Sequence, residues 1–304
     1  MTAATTVSSA LVIGGAGFIG SHLVDRLLAD GVAVDVVDDL SNGSLGNLAD
    51  ARNMPGTLKI HHLDAGSPEC GSLIGMRRPD VVYHLAALPR GDSSTPRLAS
   101  AFATSMAVVD AARQHRVSKV VMTIPASAVH GRPAGKDVPV KEGELEPRGM
   151  RGIVARASVD LLELARELDA VEFTALALGT VYGPRQRPGD GVVAAFVEAA
   201  RSGAPPTIRG DGRQTRDFVF VDDTVDALVR AGSRGSGLVI NVGSGTPTSI
   251  RDVWTRVAGV AAPEPTLTPA PPDELVRFAL SPVRARIHLG WAAWTELADG
   301  LAAT

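Results

Sequence analysis

Residues 11–23 read Leu-Val-Ile-Gly-Gly-Ala-Gly-Phe-Ile-Gly-Ser-His-Leu, three apolar residues running into glycines at 14, 17 and 20. The chemistry open to such a string is anion binding. Gly14 permits a tight turn, Gly17 lets the backbone approach a pyrophosphate, and Gly20 lets a helix pack closely on the strand before it. Unpaired N–H groups where that helix begins, at Phe18 and Ile19, hold the negative charge. Asp38 stands near the end of the next apolar run, 32–37, close to the distance at which an acid accepts from the ribose hydroxyls of an adenosine. A carboxylate there repels a 2′-phosphate, so the pattern predicts NAD rather than NADP. Asp39-Leu-Ser-Asn-Gly43 is a turn rich in hydrogen-bonding side chains, with Ser41 and Asn42 at its tip, where the adenosine end would lie.

These residues need elements to hold them. Leu23, Val24, Leu27 and Leu28 recur at helical spacing after the glycines, which gives strand, turn and helix in succession. The apolar run 58–63 reads as a third strand ending at Asp64 and Ala65, and 80–87 as a buried fourth strand that ends in His84, Leu85, Ala86 and Ala87. An alanine-rich helix over 99–115, a strand over 119–124, a helix over 153–168 and a strand over 171–178 follow. Val154, Ala157, Leu161, Leu164 and Leu168 share one face of that second helix. Alternation of this kind predicts an α/β fold, a doubly wound parallel Rossmann sheet with ligands at the carboxyl ends of its strands. Residues 1–9 are small and polar and read as a flexible tail before the first strand.

Composition narrows the partners. Thirty basic against 33 acidic residues, net charge −3, leaves no footprint for nucleic acid or a membrane surface. The single cysteine, Cys70, allows no intrachain disulfide and no cysteine-rich metal site, which fits a reducing cytoplasm; no metal is expected. No stretch reaches transmembrane length without charges or glycines.

Further motifs lie downstream: His-Leu-Ala-Ala at 84–87, Val-Tyr-Gly-Pro-Arg-Gln at 181–186, Gly-Asp-Gly-Arg-Gln-Thr-Arg-Asp-Phe-Val-Phe-Val-Asp-Asp at 210–223 and Leu-Gly-Trp at 289–291. With the glycine string they resemble, almost end to end, the extended short-chain dehydrogenase/reductase family, in particular its nucleotide-sugar epimerases and dehydratases. The resemblance implies an NAD-binding Rossmann domain over 10–178 with 224–258 returning to it and a smaller C-terminal α/β substrate domain from 179–223 and 259–304. It also implies bound NAD and a nucleoside-diphosphate sugar, a UDP- or dTDP-sugar, in a homodimer paired through the helices near 99–115 and 153–168. It implies that Arg216 grips the diphosphate, with Arg209 and Gln214 as helpers, that Asp273 lies near the nucleotide ribose and that Arg277 reaches the diphosphate. Thr180 stands where the family has asparagine, and Ala177 and Ala270 where it has arginines.

The departures are greatest where the proton chemistry belongs. In the family a tyrosine, assisted by a lysine four residues on, takes the proton from a sugar hydroxyl that a serine also holds. Here 125–131 read Pro-Ala-Ser-Ala-Val-His-Gly, so the serine position falls on Ala126. Anchoring the next helix at Asp160 puts the tyrosine at Gly152 and the lysine at Arg156, and no tyrosine occurs between 83 and 182. Four residues are candidates for the displaced roles: Ser127 and Thr123 as hydroxyls that orient, His130 as a group that titrates near neutrality, and Arg156 as a cation holding the nicotinamide ribose. The implied activity is an NAD-dependent epimerase or dehydratase working through a 4-keto sugar. Two alternatives on the same scaffold are a non-redox biosynthetic reaction and a redox-dead binding or regulatory homologue.

Overall fold

A computed structural model describes residues 7–86, 88, 94–259 and 263–304. The chain opens with β1 (Ser9–Ile13), α1 (Phe18–Ala29), β2 (Ala33–Asp38), β3 (Leu58–His62), α2 (Pro68–Arg77) and β4 (Val81–His84). It continues through α3 (Thr95–Gln114), β5 (Lys119–Pro125), the single turn α4 (Ala126–Val129), α5 (Gly149–Asp169) and β6 (Glu172–Leu178). One parallel sheet collects these strands in the order β10-β6-β5-β4-β1-β2-β3, its last member β10 (Leu238–Val242) returning from far along the chain. Strand order therefore reverses between β1 and β4, the place where an open α/β sheet leaves a crevice at its carboxyl ends.

Alternation along β1 shows why both faces are covered. Ala10 and Val12 point into a layer with Leu23, Val24, Leu27 and Leu28 of α1, while Leu11 and Ile13 point into the opposite layer with Ile74, Val108 and Val159. Ser8 and Ser9, expected in a tail, are instead tied in. Ser8 N and Ser9 N donate to Asp80 Oδ2 at 2.8 and 3.0 Å, and Ser9 begins β1.

The remaining elements are β7 (Thr180–Tyr182), α6 (Val192–Ser202), β8 (Thr207–Arg209), β9 (Thr215–Phe220), α7 (Val221–Ala231), β11 (Pro247–Ser249), α8 (Ile250–Ala258), β12 (Thr266–Thr268), α9 (Val283–His288) and α10 (Leu297–Ala302). They form two small sheets, β11-β9-β7 and β12-β8. α7 packs on α1 beside the large sheet, whereas α8, capped by Ser249 Oγ accepting from Asp252 N, packs on α6 through the ring pair Phe196–Trp254.

Helix α5 departs from the expected single apolar face. Val154, Ala155, Val159, Leu162 and Ala165 are buried, while Met150, Ile153, Leu164 and Leu168 lie on an exposed stripe. The helix thus carries two apolar faces, and only one meets the sheet.

His84, at the end of β4, is fully buried with Nε2 3.2 Å from Ser105 Oγ. Burial lowers its pKa from 6.5 to about 4, so the folded protein holds it neutral while the unfolded chain protonates it near 6.5. The stabilisation is complete above pH 6.5 and is lost as pH falls towards 4, by about 3 kcal/mol in all. Urea unfolding at pH 7.5, 6.0 and 5.0 should show this loss, and His84→Asn should flatten it.

Candidate functional site

The glycine corner is set by backbone geometry. Gly14 has φ +79° and its N–H donates to Val37 O at 2.8 Å, which joins the end of β1 to β2. A Cβ at Gly20 would stand 2.1 Å from Gly14 O, so any side chain there would drive α1 off the strand. Gly17 caps α1 without a side-chain bond, leaving the first N–H groups of the helix directed at the opening. Asp38 Oδ2 accepts from Ala16 N at 2.8 Å and Oδ1 from Leu40 N at 2.9 Å. Desolvation raises its pKa, opposed by those two N–H donors. Gly43 is equally constrained, since a Cβ there would approach Asp38 Oδ1 to 2.7 Å.

A cleft of about 750 Å³ runs from this corner along the carboxyl ends of the sheet. Gly14, Gly17, Phe18, Ile19 and Gly20 line it, and so do Asp38, Asp39, Ser41, Asn42 and Gly43. Asp64, Ala65, Leu85 and Ala86 complete that half; Ala87 lies outside the described residues. A cradle that excludes side chains, a helix start and a buried carboxylate match a dinucleotide's pyrophosphate and ribose, so the residues fit NAD. Asn47 Nδ2 and Ser44 N both donate to Ala16 O and hold the loop after β2 against the corner.

The other half is built from β5, α3, α5, β7 and β9. Thr123, Ser127, Thr180 and Arg216 line it as expected. Arg216 Nη1 donates to Leu275 O and Thr215 O, both at 2.8 Å, and its Nη2 pairs with Glu274.

Other expected site residues are placed elsewhere. His130 is buried outside the cleft with Nε2 2.7 Å from Asn241 Oδ1, and Asn241 in turn bonds Glu142 and Val140. Burial, the largest influence, lowers the pKa of His130, with the Asn241 bond opposing, so this ring is a structural pin. Arg156 faces away from the cleft: Nε donates to Asp160 Oδ1 at 2.8 Å and Nη1 to Leu145 O at 3.0 Å, beside a separate hollow of about 210 Å³. Arg209 and Arg277 are exposed at the ends of their segments, and Gln214 Nε2 donates to Arg209 O at 2.5 Å; none of the three lines the cleft. Asp273 is exposed too, its carbonyl accepting from Arg148, which also donates to Ser127 O at 3.3 Å.

Arg151 and Arg97 line the cleft and were not anticipated. At Gly152 a Cβ would lie 2.2 Å from Ala128 O, so that position takes no side chain, whereas Arg151 just before it reaches the opening. The signal was the glycine itself, which marks close packing on α4 rather than the residue that faces the ligand. Arg185 and Arg187, from the loop after β7, line the cleft as well; Arg185 pairs with Asp25 at 2.7 Å and Arg187 Nη1 donates to Asn42 O at 2.7 Å, fastening that loop across the corner. Among the described residues no cluster of three or more His, Cys, Asp or Glu is placed to hold a metal ion, and no helix is long and apolar enough to cross a membrane.

The profile of the NAD dependent epimerase/dehydratase family matches residues 10–243. UDP-glucose 4-epimerase of Mycolicibacterium smegmatis is 41% identical over 307 residues, covering 97% of this chain and 96% of the relative. Among solved structures, UDP-glucose 4-epimerase of Thermotoga maritima with UDP-glucose superposes with a TM-score of 0.90 at 31% identity, covering 97% of both chains. UDP-glucuronic acid 4-epimerase of Bacillus cereus, in complex with UDP-glucuronic acid and NAD, gives 0.85 at 27% identity, again over 97% of both.

Replacing Asp38 by Asn should weaken NAD binding by about ten- to a hundredfold, the worth of charged hydrogen bonds to the ribose, and narrow its margin over NADP. In the parent protein NAD affinity should fall as pH drops through the raised Asp38 pKa, beginning above the ordinary carboxylate range. Titration of both nucleotides from pH 7.5 to 4.5 measures the two effects; equal affinities unaffected by the substitution would remove Asp38 from the site.

Proposed function

Because the chain belongs to the NAD-dependent epimerase/dehydratase family, we propose that it acts on a UDP-sugar at the fourth carbon of the hexose, through a 4-keto intermediate and with displaced proton-handling groups. One observation carries the reading: a single cleft joins the glycine corner and Asp38 on one side to Thr123, Ser127 and Arg216 on the other. NAD, when bound, supplies a hydride acceptor.

The chain's own groups divide the remaining work. Arg216 offers a guanidinium to the diphosphate, in place of the Glu274 carboxylate with which it pairs. Thr123 and Ser127 hold and orient the sugar hydroxyl. The family's tyrosine position is Arg151 on this reading, and its lysine position is the buried Ala155 four residues on. A guanidinium donates hydrogen bonds but stays protonated, so Arg151 steadies negative charge and does not take the proton. The hydride of the sugar carbon goes to NAD and the proton of its hydroxyl, oriented by Ser127 and Thr123, leaves to water in the open cleft.

We assign the exposed stripe on α5 to a second copy of the chain. Ile153, Leu164 and Leu168, with Met106 of α3, are exposed apolar side chains of the sort an isologous helix pair buries.

Protein loaded with NAD and given UDP-glucose or UDP-glucuronic acid should form the C4 epimer or a 4-keto product, followed by chromatography and the NADH absorbance band. Ser127→Ala should lower kcat by about a hundredfold, the usual worth of a positioned group, with NAD affinity retained. His130→Asn should leave the pH profile of kcat unchanged. Bound NAD and UDP-sugar without turnover would instead support a binding homologue. Leu164→Glu should convert a dimer into a monomer by light scattering.

A further inference from the structure

The single turn α4 carries Ser127, and a helix that short needs partners from elsewhere for its carbonyls. Backbone N–H groups supply most of them. Ala126 O accepts from His130 N at 3.1 Å, Ala128 O from Arg148 N at 2.7 Å and Val129 O from Glu146 N at 2.8 Å. Ser127 O is held instead by a side chain, accepting from Arg148 Nη1 at 3.3 Å. Charged guanidinium bonds run nearer to about 2.8 Å, so this contact has room to tighten.

Arg148 also reaches the other way. It caps α5 with extended backbone and no side-chain bond to the helix, which leaves its guanidinium to span outward, and Nη2 donates to Asp273 O. The next two residues belong to a second guanidinium: Arg216 pairs with Glu274 through Nη2 and donates to Leu275 O at 2.8 Å through Nη1. Segment 273–275 is thus strung between the arginine that holds the Ser127 turn and the arginine that lines the cleft from β9. Burial and then the charge of Arg132 lower the Arg148 pKa against the pull of Asp273; Arg216 lowers it further and Glu274 raises it. Charge at the Arg216 seat is therefore felt at Arg148.

We propose that Arg148 is a positioning residue: through segment 273–275 it draws the Ser127 turn into place when a diphosphate replaces Glu274 on Arg216. This rests on the UDP-sugar reading above and adds a link between the two ends of the substrate. A diphosphate brings more negative charge than the single Glu274 carboxylate, so Arg148 is attracted more strongly to the seat and closes on the carbonyls it already holds. The nucleotide end of the substrate then orders the hydroxyl that meets the sugar end.

The test is hydrogen exchange of the backbone amides of 126–131 in the NAD-loaded protein, with and without UDP, alongside calorimetric titration of UDP. UDP lacks the sugar, so protection of the turn comes through the protein. Exchange there should slow by about threefold or more in the parent. Arg148→Gln, too short to bridge both carbonyls, should abolish that difference, while its UDP dissociation constant stays within about threefold of the parent's because only the coupling is lost. With UDP-glucose the same variant should lower kcat by about tenfold, the worth of one charged hydrogen bond, and leave KM nearly unchanged. A parent turn that UDP leaves unprotected, or protection that survives Arg148→Gln, would overturn the proposal. So would a loss of UDP affinity of about tenfold or more, which would make Arg148 a ligand of the diphosphate. Should the glutamine variant fail to fold, Arg148→Lys, which keeps the charge and loses the fork, takes its place, and parent-like protection there counts against the proposal. UDP bound with no change at the turn defeats this inference alone; no binding of UDP defeats the UDP-sugar reading as well.

Discussion

The approach of α1 to β1 is the constraint on which the site depends. With Gly14 O only 2.1 Å from where a Cβ at position 20 would sit, the helix can begin against the strand only if residue 20 has no side chain. That contact sets where the first N–H groups of α1 point, and the Asp38–Ala16 bond locks the next strand to the same turn. The start of α1 and the Asp38 carboxylate are therefore coupled. Moving either moves both.

From that corner the sheet order does the rest. Because β4 lies on one side of β1 and β2 on the other, the loops after β1 and β4 part at their carboxyl ends, and the cleft runs through the gap. β5 lies beyond β4 and brings Thr123 and Ser127 to the far half, while the small β11-β9-β7 sheet carries Arg216 across from the other side. Arg185 and Arg187 bond to Asp25 and Asn42, so the loop after β7 and the dinucleotide half are fastened together. NAD-dependent chemistry on a nucleotide sugar needs this juxtaposition of two phosphorylated ligands.

Buried polar groups away from the cleft serve the scaffold. Asp217 accepts from Ser244 N, Gly245 N and Leu280 N and so pins the segment after β10 to β9. His130 and Asn241 do the same for the turn after β5 and for β10. A histidine on the right loop can look catalytic in a linear reading, yet its ring is spent on β10, two strands across the sheet.

What the sequence alone determined is whatever short-range geometry dictates. The glycines at 14, 17 and 20, the acid ending β2 and the period-two strands are local patterns, and with them came the Rossmann sheet and the NAD half of the cleft. The far half was decided by the tertiary structure because it depends on rotation about a helix. One residue turns a side chain by about 100°, so position 152 meets Ala128 O while Arg151 before it opens onto the cleft. Arg156, five residues on from Arg151, lies about 140° round α5 and faces a different hollow. Packing likewise chose which of the two apolar stripes of α5 met the sheet, since side-chain type alone makes both eligible.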